Sequence, residues 1–411
     1  MKKLKIGLVG LSCRGIGLLM PVMLPRENVE VVAVCDLYPD RVKDAAKKIV
    51  EAGKSAPAEY LDYHDLIADE NVEAVVVATA WESHIDIACA CMEAGKPVGV
   101  EVGGAYSIDD CFRLVRTYER TGTLCMMLEN CCYGKFELMA LNMIKKGLFG
   151  EIVHLSGGYH HDLREEVSLG RENRHYRFRN YLSRNCENYP THELGPIAKA
   201  ININDGNRMI SLTSTSSKSV GLHEFIKNDD RCDKELLNKS FKQGDIVTTV
   251  IKCANGETIV LTLDTTLPRY YSRGFSVRGT KGMYEEVTNS VFLDSKNRDN
   301  HFDWNKHWGN ATEYVKDYNH PIWEKYEKEG VTGGHDGIDW LVMGAFVDAV
   351  LNGYDAPIDV YDMASWMSIT ALSEESISCG SKPVAIPDFT NGKWLMRERN
   401  ISPEYDLYAG L

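Results

Sequence analysis

A chain of 411 residues is long for one domain and comfortable for two. Charged residues make up 26% and the net charge is −13, so the chain lacks the basic face that nucleic acids or anionic membranes attract, and neither partner is expected. No run of about 18 apolar residues occurs, which argues against a membrane-spanning helix.

The start, "MKKLKIGLVGLSCRGIGLLMPVML", is basic and then apolar, as an export signal is. Arg14 interrupts it, however, and no small-residue cleavage site follows. A strand, a glycine turn and a helix account for the same letters. The chain as given reads as cytoplasmic, with an export leader upstream left open. The twelve cysteines show no C-x-x-C spacing and sit mostly in apolar runs, as buried reduced thiols do.

In chain order, "LKIGLVG" predicts a buried strand, "GIGLLMPVML" a helix and "VEVVAVCD" a second strand. "PDRVKDAAKKIVEAG" predicts an amphipathic helix closed by Gly53. "VEAVVVATA", "HIDIACACMEAG", "PVGVEVG", "DDCFRLVRTYERTG" and "TLCMMLEN" continue the alternation of strand and helix. That alternation implies a doubly wound parallel sheet over residues 1–130.

Residues 131–411 read differently. "EIVHLSGGYHHDL", "RMISLTSTSSKSV", "DIVTTVIKCANGETIVLTLDTTL" and "GFSVRGTKGMYEEV" alternate like strands, with hairpin signals at "NGE" and "GTKG". They predict a mostly antiparallel sheet covered by helices at about 134–147, 193–203 and 338–352. The fold class expected is therefore α/β followed by α+β, with a C-terminal tail able to pack back on the first domain. Residues 164–188 and 295–330 read as long loops.

The glycine turn "GLSCRG" departs from the common G-x-G-x-x-G. Gly10 allows the tight turn, Ser12 is small enough for a pyrophosphate to approach, and Gly15 allows close helix packing. Asp36 ends the second strand, where a carboxylate bonds ribose hydroxyls and repels a 2′-phosphate. These features point to NAD over NADP. A bare structural strand–turn–helix is the competing reading.

With these residues the chain resembles the Gfo/Idh/MocA oxidoreductases, through "ATAWESH", "AGKPVGVEVGG", "VRGTKG" and "ALSEESISCGSKPVAIP". The resemblance implies further cofactor contacts at Cys13, Arg14, Arg41, Thr79, Trp81, His84, Glu101 and Val102. It also exposes a departure. The lysine usual in the family's "EKP" is absent, and Glu101, Val102 and Gly103 stand there instead. Within that fold, "LENCCYG", "GGYHHDLR", "NYPTHELGPI", "IPDFTNGKW" and "GGHDGID" are similar to glycoside hydrolase family 109, whose characterised members are NAD-dependent α-N-acetylgalactosaminidases.

That resemblance implies a redox glycosidase, an exception to the usual pair of carboxylates. A hydride leaves C3 for NAD, the ketone acidifies the C2 proton, the C1 group is eliminated, water adds, and the hydride returns. NAD would be tightly bound and recycled. The resemblance makes His192, Tyr189 and Tyr159 the catalytic candidates. His192 starts a helix, where the dipole favours a neutral imidazole able to accept the O3 proton. Tyr189 would serve at C2 or hold the sugar, and Tyr159 would lie near O3. Glu129, Arg177, Tyr271 and His335 are the implied sugar contacts, with Asp336 beside His335 a departure that touches specificity.

Plainer readings stand beside these. His192 and Tyr189 could be a helix cap and a core ring, Glu129 an ion-pair member, and Arg177 a solvated or subunit-contact residue. Tyr270 is the alternative to Tyr271. His160 and His161 alternate on a strand, so both cannot ligate one metal, and no metal is expected. The aromatic stretch Trp304, Trp308, Tyr314, Tyr318 and Trp323 suits a sugar platform or a core equally. A plain NAD-linked sugar dehydrogenase and a non-catalytic sugar or dinucleotide sensor are the rival functions. The partner expected is a small-molecule or glycan substrate. A homo-oligomer, dimer or tetramer, is expected to cover the open sheet face.

Overall fold

The first sheet consists of short strands, most of them apolar on both faces: β1 (Leu4–Val9), β2 (Val29–Cys35), β3 (Ala58–Tyr60), β4 (Ala74–Val77), β5 (Val98–Val100) and β6 (Cys125–Met127). The computed structural model, which describes residues 2–409, pairs them all in parallel, in the order β3-β2-β1-β4-β5-β6. The order reverses between β1 and β4, and a crevice opens there at the carboxyl ends of the strands. Gly10 sits in that crevice at φ +97°, and a Cβ on it would lie 2.5 Å from the Ala78 carbonyl. Only glycine fits both the angle and the space.

The second sheet has eight strands: β7 (Ile152–His160), β8 (Met209–Ser216), β9 (Ile246–Cys253), β10 (Thr258–Asp264), β11 (Ser276–Gly279), β12 (Gly282–Glu285), β13 (Ser290–Leu293) and β14 (Val384–Ala385). Their order is β13-β12-β11-β7-β10-β9-β8-β14. All pairs are antiparallel except β7 with β10. Helices Thr191–Ala200 and Val360–Ser378 pack on this sheet. The expected architecture is the one observed.

Three details differ from the sequence reading. The stretch 164–188 contains helices Arg164–Ser168 and Tyr176–Ser183, and 295–330 contains Ala311–Tyr318 and Pro321–Glu329. Histidine caps, His175 on Arg177 N–H and His320 on Ile322 N–H, start two of them, a signal weaker than the usual Ser or Asp. The strand β3 has only three residues and no apolar run. The aromatic stretch divides: Tyr314 and Trp323 are buried, while Trp304 and Trp308 are exposed. Near the tail, Lys393 pairs with Glu119 of helix Ile108–Thr121 at 2.6 Å.

Helix Thr191–Ala200 is held where the site needs it. At its far end the buried Lys199 ammonium bonds Asp362 at 2.6 Å and the Pro357 carbonyl at 2.8 Å. In its middle, a Cβ on Gly195 would stand 2.9 Å from Cys132 Sγ and from Glu129 Cγ. The missing side chain lets the helix lie against the Glu129 segment. Gly195→Ala should therefore cost about 1–3 kcal/mol by overpacking, read as a lower melting temperature. Because the displaced neighbour is Glu129, activity at permissive temperature should fall as well. An unchanged melting temperature and unchanged activity would refute this role.

Candidate functional site

Three adjoining cavities follow the crevice. The first, about 200 Å³, is lined by Gly10, Ser12, Asp36, Arg41, Thr79 and the second domain's Arg174–Tyr176, among others. The second, about 230 Å³, joins Ser12, Cys13, Arg14, Thr79, His84, Glu101 and Val102 to Tyr159, Arg177, Tyr189, His192 and His335. The third, about 630 Å³, shares Asn130, Tyr159, His161, His192 and His335 with the second and adds Tyr271, Arg273, Trp323 and Asp336.

The first two cavities fit a dinucleotide. Asp36 is buried, and its carboxylate accepts from Leu11 N–H at 2.8 Å and Tyr38 N–H at 3.0 Å, which fixes its orientation at the end of β2. Lone pairs remain for ribose hydroxyls. A Cβ on Gly15 would strike the Gly10 carbonyl at 1.9 Å, so the helix starts hard against the turn. His84 is fully buried and its Nε2 lies 3.0 Å from the Thr79 carbonyl. Burial brings its pKa down to about 4, so it is neutral and donates that bond. Its Nδ1 is then a buried lone pair without a partner, suited to an amide donor such as a carboxamide. Val102 puts an apolar wall where the larger family usually carries its lysine.

Two further cofactor candidates have partners within the protein. Arg14 is bonded by Glu101 at 2.7 Å and by both oxygens of Asp339, at 2.8 and 3.0 Å. It ties the glycine turn to the second domain. Trp81 lines none of the three cavities; it packs behind them against Tyr176 and Tyr189.

Glu129 also differs from expectation. It is fully buried, and its Oε1 accepts from His192 Nδ1 at 2.7 Å and from Cys131 N–H at 3.1 Å. It lines none of the three cavities and touches His192 instead. A carboxylate can only accept, so His192 carries its proton on Nδ1 and turns the Nε2 lone pair outward. Nε2 lies 3.4 Å from the Tyr189 hydroxyl. Burial alone would raise the Glu129 pKa, but His192 and the hydrogen bonds the carboxylate accepts outweigh it and hold it below the carboxylate range. Glu187 and Glu193 flank the same segment without an ion pair; burial pushes Glu187 up to about 8, and Glu193 well up too against the opposing Arg273. Three buried carboxyls thus carry one negative charge, the one on Glu129.

Tyr159 has a separate partner. Its hydroxyl lies 2.9 Å from His161 Nδ1, and its ring is 4.4 Å from that of Tyr189. The Arg177 guanidinium sits over the rings of Trp81, Tyr189 and Tyr159, at 5.0–5.7 Å, and pairs with Glu166 at 3.1 Å. It is buried, so the solvated-face reading fails. Tyr271 lines the outer cavity and Tyr270 does not. His335 stands at the mouth with φ +49°, its Nδ1 2.7 Å from Asp339, and Asp336 follows at φ +54°. Two non-glycine residues in the left-handed region mark local strain.

Glu129, Cys131 and His192 place ligand atoms within 4.8 Å of one another, a geometry that could suggest a metal. The cationic Arg273 lies 2.9 Å from Cys131 Sγ, and burial holds the thiol protonated. Both oppose a divalent cation there.

Sequence reasoning missed Asp339, Asn130, His161, Glu166 and Arg273. Asp339 follows His335 by one helical turn, a spacing that pairs side chains and was readable. The others are joined only by the fold.

Two tests follow from the charges. Glu129 and Asp339 have folded pKa values below their unfolded ones. Their stabilisation is full above the ordinary carboxylate range and is lost as pH falls through the lower folded values. Glu129→Gln should therefore flatten the loss of stability as pH falls below the ordinary carboxylate range. Glu187 has the opposite sign: its penalty grows above the carboxylate range and is complete above about 8. Chemical denaturation at pH 6 and 9 should show wild type losing stability with rising pH and Glu187→Gln losing less. Equal slopes would contradict the buried neutral acid.

The geometry can be set beside known proteins. Residues 4–129 match the oxidoreductase family with an NAD-binding Rossmann fold, and residues 133–396 match the glycosyl hydrolase 109 C-terminal domain. A glycosyl hydrolase family 109 protein of Stenotrophomonas maltophilia is 37% identical over 97% of this chain and 91% of its own. An alpha-N-acetylgalactosaminidase of Tannerella forsythia is 37% identical over 90% of this chain and 82% of its own. Among solved structures, levoglucosan dehydrogenase with NADH aligns with a TM-score of 0.68 at 18% identity, covering 94% of this chain and 100% of that one. The scyllo-inositol dehydrogenase of Lactobacillus casei aligns with a TM-score of 0.64 at 13% identity, covering 94% and 99%; these two speak for the fold alone. Among the described residues no helix is long and apolar enough to cross a membrane. The chain belongs to glycosyl hydrolase family 109 and is an NAD-dependent glycoside hydrolase.

Proposed function

We propose that this protein removes terminal α-linked N-acetylgalactosamine by transient oxidation at C3, elimination across C1–C2, addition of water and re-reduction. The sugar is suggested by the relative of that name. One observation carries the mechanism. The Glu129–His192–Tyr189 chain opens on the same cavity as Thr79, His84, Glu101 and Val102, so a proton acceptor faces the place a nicotinamide would occupy.

Bound NAD would supply the redox chemistry, taking a hydride from C3 and returning it at the end. The residues do the rest. His192 Nε2 takes the O3 proton, and Glu129 holds the imidazolium that results. This replaces the lysine. Tyr189 shares that nitrogen and so belongs with O3. Tyr159, with its own partner in His161, is better suited to C2. The tyrosines thus exchange the positions expected from sequence. Arg177, Tyr271 and His335 hold sugar hydroxyls, and the aromatic walls keep bulk water from the reacting carbons.

Retention of the cofactor has support of its own. The 171–180 segment covers the first cavity and is fastened by Arg174 to Asp40 at 2.7 Å, by Arg41 to the Asn173 carbonyl at 3.2 Å, and by Arg179 to Glu82. Each exposed pair contributes little by itself, so the fastening acts collectively.

Nitrophenyl α-N-acetylgalactosaminide should be cleaved by purified protein without added NAD and without net NADH. His192→Asn should cut turnover by about 10²–10⁴-fold with the melting temperature kept. The pair Asp40→Ala and Arg179→Ala should speed cofactor loss on dilution severalfold, measured by nicotinamide fluorescence. Steady NADH accumulation with no glycoside cleavage would instead mark a dehydrogenase.

A further inference from the structure

His161 was weighed in the sequence only as a metal ligand, and the mechanism above gives it no work. Its position says more. It follows β7 directly and lines both the inner and the outer cavity. Its Nδ1 is 2.9 Å from the Tyr159 hydroxyl, and its ring meets the Tyr271 ring edge-on at 5.1 Å. Beyond it lies Glu166, which contacts Arg177 at 3.1 Å and His175 at 3.6 Å.

We propose that His161 is the proton relay for Tyr159: it accepts the phenol proton on Nδ1 as the phenol oxygen takes the C2 proton, and it gives its Nε2 proton to the departing oxygen. The proposal rests on the elimination route above. It assigns a catalytic residue that acts on C2 through Tyr159 and on the departing oxygen directly.

The step balances. The C2–H pair becomes the second C1–C2 bond, and the C1–O pair leaves on the aglycone oxygen. The C2 proton ends on Tyr159, the Tyr159 proton on Nδ1, and the Nε2 proton on the departing alcohol. His161 has changed tautomer and nothing has changed charge. Water addition runs the chain backward, after the Tyr159 hydroxyl has exchanged with solvent as the aglycone departs and water enters: water at C1 gives its proton to Nε2, Nδ1 returns one to Tyr159, and Tyr159 delivers a solvent-derived one to C2. A histidine that lines both cavities can reach C2 through Tyr159 on the inner side and a leaving group directed to the outer one.

The resting protonation agrees. Burial raises the Tyr159 pKa, with Arg177 opposing in part, so the phenol keeps its proton. Burial, then Arg177, lowers that of His161, with Glu166 and Asp162 opposing and His192 adding to the lowering. Tyr271 stands on the remaining side. The resting pair is then a neutral phenol donating to a neutral imidazole, the state from which the relay begins.

The test bypasses the redox step. A methyl 3-keto-α-N-acetylgalactosaminide already carries the acidifying ketone, and its C2 hydrogen can be followed by NMR as it exchanges in deuterated water on the holoenzyme. His161→Asn keeps a polar side chain but cannot relay, so exchange should fall by about 10²-fold or more, while first-turnover NADH formation from the ordinary glycoside stays within about threefold. His161→Ala should lose exchange likewise and regain it with added imidazole, which a structural defect would not do. Exchange in His161→Asn within about threefold of wild type would overturn the relay alone. No exchange in wild type would overturn the elimination reading and the relay with it.

Discussion

The hydrogen bond between Glu129 and His192 is the interaction on which the site depends. It spans 63 residues and joins the end of the nucleotide-binding sheet to the first turn of a helix from the other domain. A single short contact therefore sets the imidazole's tautomer and fixes the two domains' functional edges at one spacing. The fold serves it in three ways. Gly195 lets the helix approach, Lys199 anchors its far end on Asp362, and Cys131 N–H steadies the carboxylate.

Electrostatics around this bond follow from where cations are and are not. Glu129 has an imidazole and stays ionised; Glu187 and Glu193 have none and stay neutral. Arg14 plays the matching part at the cavity mouth, compensating Glu101 and Asp339 together. The charges that remain uncompensated toward the substrate are few, which suits a neutral sugar.

Much of this was legible in the residues, and the reason is locality. The strand, glycine turn, helix and Asp36 lie within one stretch, so spacing alone describes their geometry. The absent lysine was equally plain, because Val102 sits in a recognisable segment. Tyr189 and His192 were legible for the same reason, three apart across a proline. What stayed hidden was long-range. Nothing in "LENCCYG" says that its glutamate meets a histidine in "YPTHELG", so Glu129 was expected at the sugar when it lies behind the imidazole. The adjacent histidines after β7 looked alike in sequence, and only the pleat separates His161, which faces the site, from His160. The helices at 176–183 and 321–329 were hidden by histidine caps and by aromatic residues that blur the amphipathic period.

The claim that glycosidic cleavage here passes through a C3 ketone is tested most directly by isotope. Purified protein would cleave an α-N-acetylgalactosaminide in deuterated water with no nicotinamide added, and the released sugar would be examined by NMR and mass spectrometry. The account predicts one deuterium at C2 in each released sugar. Cleavage with C2 still fully protonated would contradict it, because direct displacement at C1 never breaks that bond.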